Sequence, residues 1–123
     1  MSKGRTIISW VLVVLVALAF LASAAAKLSG VATPLFLHWG YPAWFAKVIG
    51  VLELTGAVGL LVRRTTRYAV LGLTVIMLGA AYTHLASHEA VQVLRPAIFL
   101  VVLWVIWWLR RTDHVGARTS AAV

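Results

Sequence analysis

Four apolar stretches separated by short polar breaks set the pattern of this chain. Thr6 to Ala26 carries no charged residue, and crossing the hydrocarbon core takes about 20 such residues at about 1.5 Å each. With Lys27 and Leu28 the first span covers 6–28; similar stretches follow at 42–62, 68–86 and 93–110. Connections this short predict an all-α fold, an antiparallel four-transmembrane-helix bundle. Gly72, Gly79 and Ala86 form a small-residue stripe in the third span, and Ala19, Ala22, Ser23, Ala26 and Gly30 close the first. Small residues at helical spacing let a neighbouring helix approach closely. Pro34, Gly40 and Pro42 break the connection 29–43, yet it is apolar and aromatic, with Trp39 and Tyr41 and then Trp44. It is expected to form an interfacial or partly re-entrant cap and not a solvated loop. Residues 112–123 are polar and predict a disordered tail.

The first span also has the form of a signal peptide, with a basic start and an Ala22-Ser23-Ala24-Ala25-Ala26 step. Its apolar core exceeds the roughly 7–15 residues of a signal sequence, so it is read as a retained span.

Composition agrees with a membrane protein. Hydrophobic residues make up 63% of the 123 positions, charged residues 11%, and the mean hydropathy is +0.98. There are no cysteines, which excludes disulfides, thiolate metal sites and CxxC redox chemistry from this chain alone. The net charge of +8 flanks apolar spans, so it points to topology and lipid headgroups and not to nucleic acid. Lys3, Arg5, Arg63, Arg64, Arg67, Arg110, Arg111 and Arg118 fall on one side of the four spans, and Lys27, Lys47 and Arg95 on the other. Basic residues favour the cytoplasmic side, so both termini are expected there, in a plasma or inner membrane.

Against this background Glu53 stands out, near the middle of the second span. A carboxylate at the midplane is costly and usually faces a protein interior or a water-filled cavity. Gly50, Glu53 and Ala57 share a helix face, which turns Glu53 into the bundle. Counting helical rise puts Glu53 roughly 13–15 Å above the cytoplasmic boundary and His84 roughly 24 Å above it. Lys27 and Arg95 fall at the outer boundary. The gradient predicts an outward-opening polar pocket: Glu53 and His84 as acid–base residues, with Lys27, Tyr82, Thr83 and Arg95 holding a ligand. Lys27 and the midplane differ by roughly 12–15 Å in depth, so either the first span reaches deeper than this count or water, a ligand or His84 lies between Lys27 and Glu53. The structural alternatives are a Glu53 carboxyl hydrogen-bonded across helices for packing, a snorkelling Lys27 and an interfacial His84. His84-x3-His88-Glu89 has zinc-compatible spacing but lacks the HExxH order, and no metal is assigned.

The sequence resembles the DoxX-like family of small four-helix membrane proteins. The residues that carry the resemblance are Ala25-Ala26-Lys27-Leu28-Ser29-Gly30, Gly50-Val51-Leu52-Glu53-Leu54-Thr55-Gly56 and Gly79-Ala80-Ala81-Tyr82-Thr83-His84. The resemblance implies the four-helix fold and a polar set of Lys27, Glu53 and His84. It also implies an accessory subunit of a membrane redox system, with a bound quinone as cofactor and a partner membrane subunit or a homo-oligomer. The wider superfamily adds a second expectation, an isomerase- or cyclase-like membrane enzyme acting on a hydrophobic substrate. A third is a small proton-coupled transporter, since the size, the four spans and the one membrane glutamate also resemble the small multidrug resistance family. That family places its key glutamate in the first span, whereas Glu53 is in the second.

Overall fold

The computed structural model describes residues 2–122, with side chains described to position 111. Among the described residues there are five α-helices: α1 (Lys3–Leu28), α2 (Thr33–His38), α3 (Ala43–Leu61), α4 (Thr66–Ala86) and α5 (Leu94–Ala122). All except α2 are long and apolar enough to cross a membrane. The expected bundle of four spans is therefore the architecture. The backbone of α5 continues through 112–122, where the sequence predicted a disordered tail; the side chains of that stretch lie outside the described residues.

Each span buries one stripe. In α1 it is Ser9, Val13, Val16, Ala17, Phe20 and Ala24; in α3, Ala46, Gly50, Glu53, Ala57 and Leu60. In α4 the stripe includes Ala69, Val70, Leu73 and Met77, and α5 adds Leu103 and Ile106. Steps of three and four keep such residues on one side of a helix. Outward faces are equally apolar: Leu15, Leu18, Val51, Leu52, Val75 and Leu78 are all exposed. Since lipid is as apolar as leucine, association depends on close packing and on internal polar bonds. Gly56 shows the closeness, because a Cβ there would lie 2.6 Å from Leu73 Cδ2.

Side chains satisfy the start of α1 and the end of α3. Ser2 accepts a bond from the Arg5 N–H at 3.2 Å and caps α1. At the end of α3, Thr65 donates to the Gly59 carbonyl at 2.8 Å, and the buried Arg110 donates to the Leu60 carbonyl and to Thr66 Oγ1, both at 2.7 Å. These contacts occupy carbonyls that the end of a helix leaves without internal donors. Arg110 also lies 4.8 Å from the Trp10 ring, tying α5 to α1.

Candidate functional site

The connection 29–43 folds over one end of the bundle. Gly30 and Gly40 take positive φ of 93° and 92°, conformations glycine adopts without strain, and these bracket α2. Pro34 sits in the first turn of α2, where its missing N–H costs nothing. Phe36 is buried and packs against Trp39, Tyr41 and Phe45. The aromatic connection packs as a cap with a short helix in it.

Two polar groups occupy this half of the molecule. The inner one is an ion pair. Lys27 Nζ lies 2.7 Å from Glu53 Oε1, and the same nitrogen donates to Ser23 Oγ at 2.6 Å. The Glu53 side chain is 2% exposed and that of Lys27 17%. Of the two expectations, the direct contact fits a first span that reaches the level of Glu53, with nothing between Lys27 and the carboxylate. Helix α1 runs unbroken to Leu28 beside α3, and Gly50 lets it come close. A Cβ at Gly50 would lie 3.0 Å from both Lys27 Cβ and Leu28 Cγ. Gly50 is one turn before Glu53, so the point of closest approach sets Lys27 within reach. The flexible four-carbon stem then carries the ammonium to the carboxylate.

The outer group links the cap to the end of α4. Trp39 Nε1 donates to Glu89 Oε1 at 3.1 Å, and His84 Nδ1 lies 3.0 Å from the same oxygen. The His84 and Trp39 rings meet edge to face, 5.4 Å between centroids. Thr83 Oγ1 donates to the Gly79 carbonyl at 2.9 Å. Its single proton being used, Tyr41 is the donor in the 2.6 Å Tyr41–Thr83 contact. The hydrogen bond to His84 is the main reason the Glu89 carboxyl is held below its ordinary value. Burial opposes that effect, while the Trp39 indole and the charges of His84 and His38 add to it.

These contacts divide the expected site. Glu53 and Lys27 belong to the inner group; His84 and Thr83 belong to the outer one. Tyr82 is 69% exposed on the outside of α4, and Arg95 is exposed near the start of α5. Glu53 itself is buried against Lys27 of α1, and only Lys27 of the pair is partly exposed. Glu89, Trp39 and Ser23 are the polar partners that sequence reasoning did not assign. His84 and Glu89 face each other only because the chain turns at His88, which takes a φ of 60°; no motif announces that turn. Among the described residues no three of His, Asp and Glu gather as a metal-ligand group.

The family model of the DoxX-like family matches residues 11–106. A Bacillus subtilis (strain 168) protein described as the uncharacterized protein YdgD is 34% identical over 71 residues, covering 53% of this chain. The chain spans 62% of that relative's length. No solved structure matches the chain.

Proposed function

The chain belongs to the DoxX-like family, and on that premise we propose that it is a quinone-interacting accessory subunit of a membrane redox system. It is an integral, multi-pass membrane protein with four spanning helices. Its place in the reading is a plasma or inner membrane with both termini cytoplasmic, supported by eight basic residues on the terminal side of the spans against three on the other. A partner membrane subunit supplies the rest of the redox system.

The carrying observation is the ion pair between Lys27 and Glu53. A buried pair gives little net stability over well-packed apolar residues, and ionisable groups within spans mark functional sites. An ammonium has three N–H donors. Here Glu53 and Ser23 take two, and the partly exposed Lys27 keeps one for an acceptor. A quinone head presents carbonyl acceptors from within the lipid phase, so the donor set fits it. When bound, quinone supplies the electron-carrying chemistry that a cysteine-free chain lacks. Lys27 donates a hydrogen bond to the ligand's oxygen, Ser23 fixes the direction of Nζ, and Glu53 holds the ammonium and accepts or returns a proton.

The test is to isolate the full chain from native membranes, extract and identify any quinone, and titrate ubiquinone and menaquinone into the protein in nanodiscs. Quinone is expected to co-purify. Lys27→Met should weaken binding more than about tenfold, the effect of losing a charged donor, and Ser23→Ala should weaken it less. Protein isolated without quinone that also fails to bind either added quinone overturns the reading.

A further inference from the structure

A second site lies on the opposite side of the bundle's polar geography, at the end that holds both termini. Between α4 and α5 runs an open groove of about 630 Å³. Thr74 and Leu78 line it from α4, and Leu100, Trp104 and Trp108 from α5. The Thr74 hydroxyl is already spent on the Val70 carbonyl at 2.6 Å, so the trough is apolar in effect.

The same two helix faces continue into cations. Seven residues before Thr74 is Arg67, and three after Trp108 is Arg111; residues at such spacings share a face. Both arginines are exposed. Arg67 leans on Tyr68, 3.3 Å from its hydroxyl, and Arg111 lies 5.4 Å from the Trp107 ring. Arg5 of α1 stacks 4.5 Å over Trp108, itself part of the groove. Neither described carboxylate competes here: Glu53 is paired with Lys27, and Glu89 with His84 at the other end.

An acyl chain alone gains little from an apolar groove, because surrounding lipid is just as apolar. The choice of occupant falls to charge. The geometry points to one anionic phospholipid from the leaflet beside the termini, an acyl chain in the α4–α5 groove and its phosphate held by Arg67 and Arg111. Guanidinium forks match phosphate oxygens two at a time. The site is independent of the Lys27–Glu53 pair.

Native mass spectrometry of the full chain in detergent, with equimolar phosphatidylglycerol and phosphatidylcholine, tests it. Phosphatidylglycerol should be retained preferentially. Arg67→Gln and Arg111→Gln should each lower the retention ratio about fivefold, the effect of one basic residue near an anionic headgroup. Arg64→Gln, in the preceding turn, should leave the ratio unchanged. Leu78→Trp, which fills the groove, should reduce retention of phosphatidylglycerol without touching an arginine. Equal retention of the two lipids overturns the proposal. So does an equal loss in Arg64→Gln, which would mean diffuse charge. Displacement by inorganic phosphate with no effect of Leu78→Trp would mark a phosphate site in place of a lipid site.

Discussion

The Lys27–Glu53 and His84–Glu89 pairs use the same chemistry, a nitrogen about one hydrogen bond from a carboxylate oxygen. Their settings differ. The inner contact is 2.7 Å with Glu53 2% exposed; the outer is 3.0 Å with Glu89 30% exposed. Coulombic attraction grows as the local dielectric falls, and so does the cost of leaving either partner alone. The inner pair therefore locks α1 to α3 with a large penalty for breakage. The outer pair, screened by water, closes the turn after α4, and Trp39 on the same carboxylate oxygen ties that turn to the cap. Bond geometry alone would rank them as near equals; burial separates them.

Breaking the inner pair should give the largest effect. Lys27→Met leaves a carboxylate buried without its cation, and unfolding in mixed micelles should show a loss of about 3–5 kcal/mol. Adding Glu53→Leu to Lys27→Met should restore much of that loss, giving a strong coupling term in the double-mutant cycle. Additive single effects would show that the two side chains do not depend on each other. Next come the close approaches. Gly56→Ala forces a methyl against Leu73 and should cost about 1–3 kcal/mol in the same assay. Gly50→Ala meets softer contacts and should cost less, while also weakening the coupling between Lys27 and Glu53.

Smaller effects belong to the cap. Tyr41→Phe removes one donor to Thr83, whose own proton stays on the Gly79 carbonyl, so a loss of about 1 kcal/mol is expected. The smallest effect is the pH response of Glu89. Its carboxyl is held below the ordinary value of 4.5, so the folded state favours the charged form. The resulting stabilisation is present above the unfolded value and is lost as pH falls through the lower folded value. Thermal unfolding of the native protein and Glu89→Gln should differ near neutral pH and converge in acid. A gap that persists in acid would assign the role of Glu89 to packing.

The bundle was legible because a membrane demands long apolar helices, and the runs from Thr6, Pro42, Tyr68 and Val93 can hardly be anything else. Glu53 was legible for the same reason, as an exception to that rule. Its partner was not. Counting rise from helix ends treats each helix as a rod with a fixed depth, whereas register between α1 and α3 is set by contact, here Gly50 against Lys27 and Leu28. A stretch of four methylenes supplied the remaining reach. His84 was grouped with Glu53 on depth alone; a turn at His88 gave it Glu89 instead. Tyr82 and Thr83 are neighbours in sequence, yet Tyr82 is exposed and Thr83 buried, because the roughly 100° between successive helical positions carries one across the edge of the buried stripe.

The inner pair also bears on how the protein is made. Lys27 and Glu53 both belong to the first helical hairpin, α1 and α3, so each charge has its counter-charge within that hairpin and without a residue of α4 or α5. The hairpin can thus enter the bilayer with both ions as one neutralised unit, and its most expensive residues need no match from the later spans.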